Sequence, residues 1–454
     1  MRGIGGCLAA VLAVLVLLVV PVVADEAAEE KHENLLTTRY DKGFRFATAN
    51  GAYSLRLNGL IQGRYTYVDY DPEVRYNQDS YSNFFVRRAR LYFSGNAGSP
   101  RFRYLFHIQL EPSQGINAND MWLEYEFSDW FQLGAGRNKI SYGLEMLNSG
   151  SALGLVERSL MYGETDIDLG ESAYPGPRFP GGGTARFGLS TYADTGFATG
   201  GMNLYRALGI QVQGKKGSAE RPTFEYQVGV WQGRGTGSSS NSGDDHLTSV
   251  RVGYHPWGFI DWKVVGDLHH NESFKLGLIG SVYRNRGEQP HEFDEHGFNM
   301  AVLVRWRGWS ADIEWGTERY DFADVADDFE RVGWRAAFGW FVVPSRWEVR
   351  ARYAEIQRLK NPTYRAALAS GLGVPEVWDG EDWTPALEAK ISEITVGVSR
   401  RLPGFRNLVV LDASRLVREF AADSEAVIDG EPAPIAKAPD QVDYRIRMMV
   451  QLVF

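Results

Sequence analysis

The stretch that decides the fold is Tyr444-Arg445-Ile446-Arg447-Met448-Met449-Val450-Gln451-Leu452-Val453-Phe454. Read with a period of two, Tyr444, Ile446, Met448, Val450, Leu452 and Phe454 share one face, and Arg445, Arg447 and Gln451 share the other. Side chains of a β-strand alternate between faces, so this is one strand with an apolar side and a charged side. Its last residue is aromatic, as on the final strand of many membrane barrels.

The same alternation recurs along the chain. Leu55, Leu57, Ile61, Tyr65 and Tyr67 oppose Arg56, Asn58, Gln62, Arg64 and Thr66. Phe102, Tyr104, Phe106, Ile108 and Leu110 oppose Arg101, Arg103, His107, Gln109 and Glu111. Phe298, Met300, Val302, Val304 and Trp306 oppose Asn299, Arg305 and Arg307. A soluble sandwich also alternates, but it does not explain a long, heavily charged face or apolar faces that end in aromatics. Lipid outside and water inside explains both.

Sixteen strands are predicted, over 51–69, 83–96, 101–111, 119–127, 130–139, 204–214, 222–233, 247–256, 273–285, 296–307, 309–319, 330–343, 346–358, 391–402, 406–419 and 441–454. Long and short links alternate between them, which matches barrels with long outer loops and short periplasmic turns. The strand-like 184–192 is assigned to a loop, because counting it gives an odd total. A run at 43–48 is a possible extra hairpin arm, and eighteen strands is the alternative count. The expected fold is therefore all-β: a single closed antiparallel transmembrane barrel with a long lumen-constricting loop at 140–203.

The 454 residues are otherwise partitioned into a leader and a short segment. Arg2, an apolar run and the small residues before Asp25 read as a cleaved secretory signal over 1–24; the run is also long enough for an uncleaved anchor. Residues 25–50 form an N-terminal periplasmic segment, and 51–454 the barrel. Cys7, the one cysteine, leaves with the leader, which excludes a thiol nucleophile and thiolate metal sites. With 48 basic and 57 acidic side chains, no basic excess points to nucleic acid. No apolar stretch after residue 24 reaches the length of a membrane helix.

By parity, Arg56, Arg64, Arg88, Arg90, Arg101, Arg103, Arg251, Arg305, Arg307, Arg350, Arg352, Arg445 and Arg447 point into the lumen. Guanidinium is always charged, weakly hydrated and forked toward oxyanions, so such a wall attracts anions. Pairing with lumen carboxylates (Glu111, Glu124, Glu126, Asp312, Glu314, Glu348) is the other reading, and parity leaves both open. Arg87 has outward parity; it sits at the rim, or a bulge turns it inward. Arg137 and Lys139 pose the same problem.

The loop at 140–203 carries Glu145, Glu157 and Arg158, then Glu164, Asp166, Asp168 and Glu171. Leu153, Val156 and Leu160 have helical spacing, which predicts a short helix within 151–162. An acidic loop against a basic wall sets up a field across the pore. Folding inward is one reading; covering the mouth or meeting a neighbouring subunit is the other. His269 and His270 lack further ligands at metal spacing and read as an exposed turn. Gly181-Gly182-Gly183 lacks the context of a phosphate loop, and no serine sits in a nucleophile elbow. No catalytic residue, metal or cofactor is expected.

Several stretches resemble the phosphate-selective porin O/P family. They are Tyr40-Asp41-Lys42-Gly43-Phe44 with Leu57-Asn58-Gly59-Leu60-Ile61-Gln62, Phe85-Val86-Arg87-Arg88-Ala89-Arg90-Leu91, Gly143-Leu144-Glu145 with Glu157-Arg158-Ser159-Leu160, and Leu208-Gly209-Ile210-Gln211 with Val228-Gly229-Val230-Trp231-Gln232-Gly233. The resemblance spans nearly the whole mature chain. It implies a sixteen-stranded outer-membrane channel, usually a homotrimer, in a Gram-negative-type envelope. Phosphate-selective members carry lysines after the Gly-Leu-Glu motif, and here Met146 and Ser151 stand at those positions. The expected function is passive diffusion of small hydrophilic solutes or ions, with a possible preference for phosphate or other oxyanions. A structural or adhesin barrel, or an enzymatic one, is the alternative.

Overall fold

The computed structural model describes residues 36–69, 80–110, 116–162, 202, 204, 206–233, 246–287, 293–322, 329–360, 376–378, 383–385, 388–404, 406–420, 425–428, 431–434 and 440–454. Sixteen long strands form the wall: β1 (Ser54–Asp69), β2 (Ser80–Ala97), β3 (Ser99–Gln109), β4 (Asn117–Ser128), β5 (Phe131–Lys139), β6 (Arg206–Lys216), β7 (Thr223–Gln232), β8 (His246–His255), β9 (Lys275–Gly287), β10 (Phe293–Trp306), β11 (Trp309–Phe322), β12 (Phe329–Val343), β13 (Trp347–Lys360), β14 (Glu388–Arg401), β15 (Leu408–Phe420) and β16 (Gln441–Val453). Each pairs antiparallel with the next in sequence. β16 pairs with β1, from Tyr444 opposite Asp69 to Val453 opposite Leu60, so the sheet closes without an edge. Two short arms, Leu36–Tyr40 and Phe44–Thr48, extend the sheet beside β1. All sixteen predicted strands are present. The strand-like 184–192 lies outside the described residues.

The direction of burial is the inverse of a soluble sandwich. On β16, Ile446, Val450 and Leu452 are 47%, 48% and 50% exposed, while Arg445, Arg447 and Gln451 are 2%, 1% and 1% exposed. Apolar side chains look outward to where lipid lies, and ionised ones are enclosed. At the short-turn end the outer face carries an aromatic girdle: Trp306, Trp309, Trp340 and Trp347 are all exposed, and Trp309 stacks on Trp340 at 4.9 Å. Such rings settle at the membrane–water boundary.

Arg307 does not point into the lumen as parity predicted. It occupies the two-residue turn with Gly308 (φ 46° and 84°), the mirror-image turn that suits a tight hairpin. Its guanidinium lies over Trp306 at 5.4 Å, among the girdle.

Arg87 is turned inward by a bulge. Gln62 opposes Arg88 but Gly63 opposes Val86, so Arg87 is the inserted residue of β2. Left facing lipid at mid-bilayer, an arginine costs about 2–4 kcal/mol; the bulge removes that cost.

The links on one end of the barrel are short, apart from two that reach inward. One spans 402–407 between β14 and β15, and the other 256–274 between β8 and β9. The links on the opposite end are generally longer, and the longest joins β5 to β6. The greater part of what is described of it, 140–162, is buried almost throughout and runs inside the barrel.

Candidate functional site

A chain segment inside a barrel must satisfy its own backbone polar groups. Here the wall does so. Glu314 accepts from the Leu144 and Glu145 N–H groups (2.5 and 3.3 Å) and from the Tyr162 hydroxyl. Asp412 accepts from the Val156 N–H (2.9 Å), and Glu393 from the Leu160 N–H (3.1 Å). Arg352 donates to the Glu157 and Arg158 carbonyls (2.8 and 3.1 Å), Gln62 to that of Gly150 (3.1 Å) and Gln451 to that of Ser151 (3.0 Å).

This explains why the helix predicted within 151–162 is reduced to one turn at its end. The observed helical turns are Leu144–Leu147 and Leu160–Tyr162. Between them the Val156 N–H, which a helix would pair internally, goes to the wall carboxylate of Asp412, and the Ser159 N–H goes to Glu145 of the loop itself. Leu153, Val156 and Leu160 are all buried, but Val156 faces Leu408, Val410 and Met449, a patch of the wall itself. Gly154 permits the close approach: a Cβ there would lie 2.5 Å from Arg350 Nε.

Most of the predicted lumen arginines are cross-linked to carboxylates. Glu157 receives Arg64 (2.5 Å), Arg88 (2.8 Å) and the bulged Arg87. Arg447 grips both oxygens of Asp412 (2.8 and 2.9 Å). Arg352 and Arg445 meet Glu393 (2.8 and 3.5 Å). Arg305 meets Asp312 (2.6 Å), Arg350 meets Glu348 (2.6 Å), and Arg251 meets Glu225 (2.9 Å). Nearer the short-turn end, Arg103 meets Glu124 (2.6 Å), Arg56 meets Asp41 (3.3 Å) and Arg101 stands exposed.

The predicted opposition of a basic wall to an acidic loop is altered accordingly. Glu145 and Glu157 are held by wall arginines, and Arg158 brings a positive charge inward. Glu164, Asp166, Asp168 and Glu171 lie outside the described residues, as do Glu111 and Gly181-Gly182-Gly183.

On the other side of the lumen a water-accessible void remains. Its ionisable lining is Arg90, His107, Asp120, Lys139, Arg158, Arg206, Lys263 and Arg406. Asp120 accepts from Arg206 Nε (2.6 Å) and lies 2.7 Å from His107 Nδ1. His107 stacks on Tyr92 with ring centroids 4.3 Å apart. Lys139, at the last position of β5, is no longer governed by strand parity. Its ammonium donates to the Met146 and Asn148 carbonyls (2.7 and 2.8 Å). Arg406, on the link between β14 and β15, donates to Ser151 Oγ (3.2 Å). Cations thus stand beside Met146 and Ser151, although neither residue is a lysine.

Sequence reasoning left Lys139 open and missed Arg206 and Arg406 as void-lining cations, and Glu393, Asp412 and Glu225 as anchors. One signal was readable. Ile279, Leu303 and Met449 have inward parity yet are apolar, and an apolar residue in a watery lumen needs a cover. Leu144 of the loop and Ile260 and Trp262 of the link at 256–274 cover the first two, and Val156 covers Met449. His269 and His270 lie on that link. Among the described residues no three His, Cys, Asp or Glu side chains gather as a metal site.

Residues 57–253, from the first barrel strand into the eighth, match the family model of phosphate-selective porin O and P. The fold is similar to an anion-selective porin from Comamonas acidovorans, at 12% identity and a TM-score of 0.52, covering 88% of this chain and 100% of that one. It is also similar to the outer membrane channel DcaP of Acinetobacter baumannii, at 10% identity and a TM-score of 0.51, covering 90% and 99%. No curated protein sequence matches the chain. At these identities the structural likeness speaks for the barrel alone. A closed wall that shows lipid its apolar face, combined with the sequence match across β1 to β8, identifies the chain as an outer-membrane porin, with residues 57–253 matching the phosphate-selective porin O and P family.

Proposed function

We propose that the porin is a passive channel for small hydrophilic solutes that prefers anions, oxyanions such as phosphate among them, and that it carries no catalytic step. The observation behind this reading is the lining of the open void. Among the described residues, Arg90, Lys139, Arg158, Arg206, Lys263 and Arg406 converge on it, against the single carboxylate of Asp120. Confined water between low-dielectric walls screens such charges poorly, so their field concentrates anions at the narrow zone and repels cations. Guanidinium and ammonium together offer oxyanions both forked and point donors. Lys139 and Arg406 supply cations where the resemblance leads one to expect lysines at positions 146 and 151.

A hydrolytic reading finds no support in the same lining. The Ser149 hydroxyl pairs with that of Ser151 (2.9 Å), and His107 pairs with Asp120 instead of a nucleophile. The resemblance to trimeric channels supports a homotrimer in the outer membrane.

Planar-bilayer recording across a potassium chloride gradient tests the proposal. The expected reversal potential has anion sign, and added phosphate lowers chloride conductance. A reversal potential of cation sign ends the reading.

A further inference from the structure

The link at 256–274 enters the barrel from the short-turn end and is fastened there. Trp262 is buried, donates through Nε1 to Glu225 Oε2 (3.2 Å), and lies 4.3 Å beneath the Arg251 guanidinium. Ile260 is buried beside Leu144 and the inward wall residues Ile279 and Leu303. Two segments from opposite ends of the barrel therefore meet inside it, through Leu144 of the outer loop and Ile260 with Trp262 of the link. The alternate residues of the link, Asp261 and Lys263, are exposed to lumen water.

Two neighbouring voids in the lumen matter here. The central one is the cation-lined space described above. The second, toward the short-turn end, is lined by Gln132, Gln213, Gln227, Lys215, Asp261 and Trp262, among others. Lys263 lines both, whereas Asp261 lines only the second. Among the described residues Lys263 makes no ion pair; its charged end lies 5.4 Å from the Trp262 ring.

We propose that the link at 256–274 is a second constriction, and that Lys263 is a selectivity-determining residue at the junction of the two voids. An anion leaving the Arg90–Arg206 zone meets this ammonium next, before the glutamine-lined space. The rigid anchoring of Trp262 holds the charge at the junction, because a lysine on a free loop would retreat to bulk water. The inference rests on the anion-preferring reading of the central void.

Single-channel recording on the full-length protein tests it, since only folded, inserted barrels are read. Lys263→Glu should lower the anion-to-cation permeability ratio about fivefold, the size expected when a two-unit charge change acts across one or two water layers. Lys263→Gln should lower it less. Arg90→Glu serves as the comparison. If Lys263→Glu leaves the ratio at the wild-type value while Arg90→Glu lowers it, Lys263 lies off the path and this inference fails alone. If the wild-type channel is itself cation-selective, both this inference and the reading beneath it fall.

Discussion

The two sides of the lumen place their inward cations in different surroundings. Where β12 to β16 join β1 and β2, inward arginines are buried against carboxylates and loop carbonyls. Arg447 with Asp412, Arg352 with Glu393, and Arg64, Arg87 and Arg88 with Glu157 are examples. Around Arg90, Lys139, Arg206 and Arg406 the cations border open water. The first group is wholly taken up with holding a peptide segment; the second also borders the void, although Lys139 and Arg406 bond the loop as well and Arg206 pairs with Asp120. An arginine's inward direction therefore says little about its role. Its partner decides, and for Arg64, Arg88 and Arg352 that partner comes from a distant part of the chain.

This contrast can be broken most forcefully at Glu157. Glu157→Ala leaves three guanidinium groups crowded around an empty space, and losing one partner of a buried charge cluster costs about 3–5 kcal/mol. The loop should detach locally. Single-channel conductance should rise and become noisy, and the temperature at which the barrel unfolds in detergent should fall. Unchanged conductance would mean that the loop is held elsewhere. Arg447→Ala should act in the same direction, by removing the guanidinium that holds Asp412, the acceptor of the Val156 N–H.

The second effect separates the two sides. Arg90→Glu should shift the reversal potential toward cations while leaving the unfolding temperature near that of wild type. Arg447→Ala should do the reverse. A variant that moved both readouts equally would erase the distinction.

Smaller still is the effect of salt. At 1 M the screening length is about 3 Å, against about 10 Å at 0.1 M. Selectivity set by the water-facing cations should therefore decline toward unity as salt rises, while loop-dependent conductance scales normally.

The smallest expected effect concerns pH and Glu145 on the inward loop. Burial alone would raise its carboxyl, but Arg335, Arg352 and the Ser159 donors outweigh that and hold it below the usual carboxylate range. A depressed folded value contributes stability above the unfolded value, about 4.3. That stability is lost only as pH falls through the folded value. Conductance should accordingly stay level from pH 8 to about pH 5, with loop release confined to more acid conditions.

The inversion on β16 was legible because period-two alternation is local: Arg445 and Ile446 must face opposite ways whatever surrounds them. The strand order and closure followed from link lengths in the same manner. Arg87 was legible as an anomaly but not as an answer, since a bulge is set by the register of two strands. The helix expected within 151–162 shrank to the turn Leu160–Tyr162 because spacing in sequence does not reveal that Asp412 and Glu393 will capture the Val156 and Leu160 N–H groups. Lys139, like Arg87, was legible only as an anomaly, and Arg406 and Lys263 were missed because they stand on links, where parity has no hold.

Sequence by itself determined the barrel, its sixteen strands and which face meets lipid, because alternation and membrane solvation act residue by residue. Tertiary structure alone decided which charges are spent on holding the loop and which remain in water. That division depends on distances between residues hundreds of positions apart, such as Ser151 and Gln451. Closing the sheet is what brings such pairs within reach.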